Sequence, residues 1–267
     1  GLDCAHVEAC ITPRTKAIMP VHLFRQMVDM QALKAIAQRH RLLLIEDSAE
    51  GIGMRWDGEQ AGLIGDIGVL SFFPTKTLGA LGDAGMILTR DPLLASRARQ
   101  IMDNGRDAAG LAQRLGYNSR MDDLQALWLR ARMLELEPDI ARRAVHCALY
   151  DKYLEPLTQW VQRPVTLVRN CPQRTVDYVY LIEVPLRDAL AAFLAARHIG
   201  TEAYYPLPLH LQPVCEHLGF QAGDLPVAER ASTRALGLPL YPDLTPAAIG
   251  RVCEAIGEFY AAQGADL

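Results

Sequence analysis

Lysine is scarce in this chain: Lys16, Lys34, Lys76 and Lys152 are the only four among 27 basic residues. Three of them stand in polar helical or turn surroundings, where a solvated ammonium is expected. Lys76 stands in Ser71-Phe72-Phe73-Pro74-Thr75-Lys76-Thr77-Leu78-Gly79-Ala80-Leu81-Gly82, and the next charge beyond it is Asp83. An ammonium held among apolar groups loses hydration, which favours the neutral, nucleophilic amine that Schiff-base chemistry needs. The plain alternative is a structural lysine whose stem is buried while its head reaches water.

Asp47 follows the apolar run Leu42-Leu43-Leu44-Ile45 and its neighbour Glu46. An acid just past a buried strand lies where ligands of open α/β sheets collect. A carboxylate there can hold a protonated heterocyclic nitrogen, which makes a pyridoxal phosphate ring an electron sink. Ser71 closes another strand five residues before Lys76, and its hydroxyl can bind a phosphate oxygen. Strand, acid, strand, serine, lysine is the order of a pyridoxal phosphate site. Taken alone, Asp47 also reads as an ordinary turn or cap acid.

The elements that must position these groups follow from the pattern. Residues 15–23 read as a buried strand running out into a loop, and Asp29 as the cap of a helix over 30–40 with Leu33, Ile36 and Ala37 on one face. The run 42–45 reads as a strand buried on both faces. Strands are expected near 67–72 and 85–89, then a helix from Asp91-Pro92 to about 103. A long helical stretch over 122–153 has Pro138 as its expected break. A composition change over 159–173 divides the chain into 1–158, a large α/β domain, and 159–267, a smaller α/β domain. In the latter, 176–184 alternates as a strand, 188–197, 225–235 and 246–262 read as helices, and 204–213 is a proline-punctuated loop.

Composition limits the partners. The net charge of −4 argues against affinity that comes from neutralising nucleic-acid phosphates. Apolar runs are too short to span a bilayer. The six cysteines contain no C-x-x-C pair and the seven histidines no metal-ligand spacing. Free thiols in a reducing cytoplasm are therefore the expectation, with no metal. Gly51-x-Gly53 lacks the third glycine of a dinucleotide fingerprint, which argues against a nicotinamide dehydrogenase.

The motifs carry a family resemblance. Thr15 to Leu23, Ile45-Glu46-Asp47-Ser48-Ala49-Glu50, Gly65-Asp66-Ile67-Gly68 and Ser71 to Lys76 resemble the nucleotide-sugar aminotransferases of the DegT/StrS type. Gly116 to Ala126, Tyr205 to Gln212 and Gly237 to Pro242 match that family's later blocks in order. The resemblance implies an α/β, fold-type I pyridoxal 5'-phosphate enzyme: a mostly parallel mixed sheet flanked by helices, with a smaller C-terminal domain, working as a cytoplasmic homodimer with shared active sites. It implies that Lys76 forms the internal aldimine and shuttles the proton, that Asp47 pairs with the ring nitrogen and that Ser71 binds phosphate. Asn118 then reaches the partner subunit's phosphate, Arg120 meets an acidic group of sugar or donor, and Tyr204, Tyr205 and His210 belong to the substrate side. For the two tyrosines, ordinary packing is the alternative. The implied reaction moves an amino group from glutamate to a nucleotide-linked keto sugar, and Phe72-Phe73-Pro74-Thr75-Lys76 resembles the 3-keto branch. A related dehydratase branch carries histidine where Lys76 stands.

Three departures stand out. Glu50 replaces the family's glutamine beside the ring's phenolic oxygen, and an ionised carboxylate cannot donate to a phenolate. A protonated carboxyl, a protonated ring oxygen or a rearranged contact would each resolve this. Arg25 stands where glycine is common and adds a charge near the site. The family's N-terminal phosphate loop and ring-stacking aromatic, a piece on the order of a hundred residues, have no counterpart after Gly1. A partial chain or a truncated relative would explain this, and the rival functional reading is a non-catalytic or regulatory protein of the same fold.

Overall fold

The computed structural model describes residues 1–163 and 173–263. These divide into two compact units, Gly1–Ile140 with residues 173–178, and residues 141–163 with 179–263. The division falls inside a helix, ahead of the expected 158/159 boundary, and residues 164–172 of the loop expected to carry that boundary lie outside the described residues.

In chain order, the first unit contains α1 (Cys4–Val7), β1 (Ala17–Ile18), α2 (Met30–His40), β2 (Leu43–Asp47), β3 (Arg55–Trp56), β4 (Glu59–Gln60), β5 (Ile67–Ser71) and β6 (Gly85–Leu88). It continues with α3 (Pro92–Met102), α4 (Asp123–Arg132), the start of α5 (Leu136–Leu154) and β7 (Gln173–Arg174). The main sheet has the order β1-β2-β5-β6, with β1, β2 and β5 parallel and β6 antiparallel. Asp29 caps α2 as expected, accepting from the Ala32 N–H at 2.9 Å, and Asp91 caps α3 through the Leu93 N–H at 2.7 Å.

Several expectations are adjusted. The strand expected to run out into a loop over 15–23 is short, β1 alone, because Pro20 has no N–H to continue the ladder. Beyond it, Pro20 and Val21 still align with Asp47, the Asp47 N–H donating to the Pro20 carbonyl at 2.9 Å. β2 is buried on one face only: Leu44 is 2% exposed and joins the α2 residues Leu33 and Ile36 in the core, while Leu43 is 52% exposed. The expected helix break falls at Met133–Glu135, before Pro138. Pro138 sits in the first turn of α5, where a missing N–H leaves no intrahelical bond unmade. A β3–β4 hairpin, unforeseen because its strands are two residues long, turns on Asp57 and Gly58 with φ of 48° and 80°, the positive pair of a type I′ turn.

The second unit holds the rest of α5, β8 (Tyr180–Glu183), α6 (Arg187–Ala195), α7 (Pro226–Arg234), β9 (Ala235–Leu238) and α8 (Pro246–Gln263). β8 and β9 pair antiparallel, and all four β8 residues are buried. The ladder is shorter than the alternating stretch 176–184, whose first three residues belong to the first unit. Tyr150, Tyr180 and Tyr260 fill the core, and each hydroxyl is satisfied: Tyr150 donates to the Pro239 carbonyl, Tyr180 to Asp151 and Tyr260 to the Pro185 carbonyl. Among the described residues no helix is long and apolar enough to cross a membrane. Five cysteines are free, and Cys171 lies outside the described residues.

The site depends on one close backbone approach. A Cβ built on Gly68 in β5 would stand 2.3 Å from the carbonyl oxygen of Gly62, and one on Gly65 would stand 2.5 Å from that of Leu44. The loop 61–65 therefore lies flat against β2 and β5, which only glycine permits. Gly68→Ala is expected to destabilise the protein by about 3 kcal/mol, since the clash is with main chain that cannot rotate away; chemical denaturation would show it as a lowered midpoint with an unchanged slope.

Candidate active site

Asp47 ends β2 and Ser71 ends β5, and the two strands run parallel with Asp47 opposite Val69. Both side chains therefore stand at the carboxyl edge of the sheet, the position where α/β sheets bind ligands. Asp47 is half-buried, and its Oδ1 accepts from the Ala49 N–H at 3.1 Å, closing the turn that leads to Glu50. Its Oδ2 has no hydrogen-bond partner among the described residues. The Ser71 Oγ accepts from the Phe73 N–H at 3.3 Å, at the start of the loop that presents Lys76.

Lys76 lies between an acid and a ring. Its Nζ is 3.5 Å from Glu50 Oε1 and 4.5 Å from the centroid of the Tyr178 ring. The other Glu50 oxygen accepts from the Phe24 N–H at 2.6 Å. Burial raises the Glu50 pKa above its ordinary value of 4.5, while the Phe24 N–H and Lys76 oppose that rise. The Tyr178 hydroxyl also lies 3.3 Å from the Thr75 hydroxyl, so it braces the loop at the lysine and at the residue before it. Glu50 thus contacts both Lys76 and the Phe24 amide. Arg25 is countered by Asp177, Nε to Oδ1 at 3.3 Å, and the left-handed residue of its loop is Phe24, with φ 64°.

Beneath these groups lies a wholly buried pair, His22 and Glu46. Glu46 Oε1 accepts from the N–H groups of Ile64 (2.7 Å) and Gly65 (2.6 Å). Oε2 accepts from the Gly62 N–H (2.9 Å) and from His22 Nε2 (3.0 Å). The Val28 N–H donates to His22 Nδ1, so Nε2 is the nitrogen that carries the proton. Burial would raise the Glu46 pKa, but the His22 hydrogen bond and the backbone donors outweigh it and hold the carboxyl below 4.5.

A cavity of about 620 Å³ beside the lysine is lined by Ser71, Lys76, Asp83 and Arg120, among others. Arg120 is paired with Asp103 and reaches Asn118 Oδ1 at 3.5 Å. Asn118 is exposed and its backbone bridges Asp103. The first unit thus brings together Asp47, Glu50, Ser71 and Lys76, with Arg120 lining the same cavity as Ser71 and Lys76. Tyr204, Tyr205 and His210 belong to the second unit. The Tyr204 ring lies against Gly237, where a Cβ would meet it at 2.8 Å, and Tyr205 is 52% exposed. His210 is buried and hydrogen-bonded to Glu229 Oε1 at 3.0 Å. Sequence reasoning did not single out Tyr178, the Phe24 amide or the His22–Glu46 pair. A histidine and a glutamate at strand ends were the only hint of the last.

A mixed, mainly parallel sheet flanked by helices is the architecture of the fold-type I pyridoxal phosphate enzymes. Residues 1–257 match the DegT/DnrJ/EryC1/StrS aminotransferase family, and the chain belongs to it. That family consists of pyridoxal-phosphate-dependent sugar aminotransferases. The chain is 45% identical to the pleiotropic regulatory protein of Geobacillus stearothermophilus, over 97% of this chain and 69% of the relative. It is 39% identical to the dTDP-3-amino-3,4,6-trideoxy-alpha-D-glucose transaminase of Micromonospora megalomicea, over 96% and 69%. It is 38% identical to the UDP-N-acetyl-3-dehydro-alpha-D-glucosamine 3-aminotransferase of Acidithiobacillus ferrooxidans, over 96% and 68%. The crystal structure of S. venezuelae DesV superposes with a TM-score of 0.89 at 37% identity, covering 97% of this chain and 68% of that one.

Glu46 gives a test of how the site is held. Glu46→Gln would turn an amide NH₂ toward two of the four donors, and a loss of about 3 kcal/mol is expected from the unmet buried groups. Because the carboxyl is held below 4.5, its stabilisation is complete above that pH and is lost as pH falls through the folded value. The stability gap between wild type and Glu46→Gln, read by denaturant titration, is therefore expected to narrow below pH 4.5.

Proposed function

We propose that this protein transfers an amino group from glutamate to the C3 keto carbon of a nucleotide-diphosphate sugar, with Lys76 as the residue that bonds pyridoxal phosphate. The observation that carries the reading is the gathering of Lys76, Glu50, Asp47 and Ser71 at one end of the sheet. The donor set fits the cofactor: an amine for its aldehyde carbon, a carboxylate for its ring nitrogen and a hydroxyl for its phosphate. A cavity of about 620 Å³ beside Lys76 and Ser71 is of ligand size. When bound, the cofactor supplies an electron sink for the carbon that bears the amino group. Lys76 Nζ would hold the cofactor and, once the incoming amine has displaced it, would carry the proton between the carbon that bears the amino group and the carbon on the other side of that nitrogen. Asp47 keeps the ring nitrogen protonated, and Ser71 fixes the phosphate.

The choice of C3 rests on relatives whose names carry a 3-amino or 3-dehydro sugar. Arg120 is the residue for an acidic group on sugar or donor. It would have to exchange its Asp103 partner for that group, which keeps the guanidinium neutralised while the site is empty. Tyr204 and Tyr205 are assigned to the sugar nucleotide, and His210 to the loop that carries them, through its bond to Glu229. The enzyme works in the cytoplasm as a homodimer in which Asn118 serves the partner's site.

A second reading, a regulatory protein of the same fold, is favoured by the name of the 45% identical relative. Absorbance separates the two. Incubation with pyridoxal phosphate is expected to give a band at about 400–430 nm that glutamate bleaches. Lys76→Ala is expected to abolish the band and the glutamate half-reaction, and Asp47→Asn to slow that half-reaction by about a hundredfold or more. A panel of keto-sugar nucleotides with glutamate consumption as readout then identifies the acceptor. No band, or variants that turn over like the parent, would sink the assignment.

A further inference from the structure

A second cavity, of about 600 Å³, lies in the first unit at the amino end of the main sheet. Leu42 and Leu44 around the start of β2, Asp66 just before β5 and Arg90 just after the antiparallel β6 all line it. The five-residue strands β2 and β5 put roughly 13 Å between this end and the one that carries Asp47 and Ser71. The cavity shares no lining residue with the one beside Lys76. Its floor is apolar, formed by Ala37, Leu42, Leu44, Leu63 and Ile64, all buried or half-buried. Its rim is charged, with three cations, Lys34, Arg41 and Arg90, against two acids, Glu59 and Asp66. Both acids are already engaged: Glu59 pairs with Arg90 at 2.8 Å, and Asp66 Oδ2 accepts from the Leu44 N–H at 2.7 Å. Lys34 and Arg41 have no hydrogen-bond or ion-pair partner among the described residues. With Gln38 they stand at i, i+4 and i+7 on α2 and its cap, which places all three along one side of the helix.

We infer that this cavity is a second binding site, for a small amphipathic anion whose apolar body covers the floor and whose carboxylate, sulfonate or phosphate group meets Lys34 and Arg41. Size and lining fit, since sites for small molecules are mostly apolar with a few charged groups that fix orientation. A cation does not fit, because both acids are engaged and it would face two unneutralised positive charges. The chain as a whole carries a net charge of −4, so the rim is a local reversal of sign and not part of a general basic surface. None of the residues assigned to transamination lines the cavity, so its occupant is not the substrate of that reaction. The occupant would still touch the frame of the active site. Ile64 and Gly65, whose N–H groups hold Glu46, form part of the lining, and the ligand would pack against the loop that fixes the strand end carrying Asp47.

The probe is 4-(trifluoromethyl)phenylacetate, with its neutral amide as control, titrated into the protein as purified. Binding is read by NMR of ¹³C-labelled isoleucine δ1 methyl groups, through the Ile64 resonance, assigned by its loss in Ile64→Val. The acid is expected to move this resonance saturably, with a Kd about fivefold or more below that of the amide. Lys34→Gln and Arg41→Gly are each expected to weaken the acid roughly fivefold, and the double variant to bind acid and amide alike. Both substitutions spare the fold: Lys34 is exposed on α2, and Arg41 holds a left-handed φ of 55° that glycine adopts at less cost. Lys76→Ala is expected to leave the Kd unchanged, which separates this site from the cavity beside the lysine. An Ile64 resonance unmoved at about 10 mM acid, where even a site of millimolar Kd is filled, overturns the inference. So does an amide that binds as well as the acid, a double variant that keeps the preference, or a Kd that shifts in Lys76→Ala. Neither glutamate nor a sugar nucleotide is present, so failure here and failure of the transaminase reading are separate results.

Discussion

The site hangs on a carboxylate that does no chemistry of its own. Glu46 is fully buried at the end of β2, and each of its oxygens accepts two hydrogen bonds, which ties three backbone amides of the loop 61–65 and the His22 ring to one strand. An isolated carboxylate at such depth would be prohibitively desolvated, and only a complete set of donors keeps it ionised. Asp47 is the next residue and Glu50 follows four positions after Glu46, so the strand end cannot shift without moving both. Gly62, one of the Glu46 donors, rests on Gly68 of β5, and β5 ends at Ser71, five residues before Lys76. A single buried acceptor thus sets the spacing between the two strand ends from which the acid, the hydroxyl and the amine are presented.

Charge around that frame is balanced locally. Lys76 faces Glu50, Arg25 faces Asp177 and Arg120 faces Asp103. The two departures from the family pattern in this region, Glu50 and Arg25, belong to one arrangement. The loop that carries Arg25 also turns Phe24 into the left-handed region, φ 64°, where its N–H meets Glu50. A non-glycine residue there costs roughly 1–2 kcal/mol, which a hydrogen bond to a charged acceptor, about 1.5–3 kcal/mol, offsets. Glycine at Arg25 would not relieve that strain, because the left-handed residue is the one before it.

What could be read from the sequence was what lies close along the chain. Asp29 and Asp91 announce their helices because a cap and the amides it meets are two or three residues apart. Asp47, Ser71 and Lys76 were legible for the same reason, since each stands at or just after an apolar run whose end is visible. The contacts that decide how these groups behave are long-range. Phe24 meets Glu50 across 26 residues and Thr75 meets Tyr178 across 103, and no local pattern encodes either. Sheet burial failed in the same way: Leu42 to Ile45 is apolar throughout, yet Leu43 faces solvent because α2 covers only one side. Two-residue strands such as β3 and β4 are too short for alternation to register, although their Asp-Gly turn was available as a signal.

Both units leave apolar side chains at the surface, and where those of the first unit lie bears on the chemistry. The second unit closes around three fully buried tyrosines whose hydroxyls all find acceptors, yet it leaves Leu209, Val214 and Val227 exposed at its surface. The first unit leaves Leu115 almost fully exposed, with Tyr117, Leu124 and Leu127 following it along the same stretch. Asn118 and Arg120 sit within this segment, so covering its apolar side chains would also order the residues assigned to phosphate and to an acidic substrate group. Burial of such side chains contributes about 25 cal/mol per Å², enough for a few leucines to outweigh the entropy of fixing one loop.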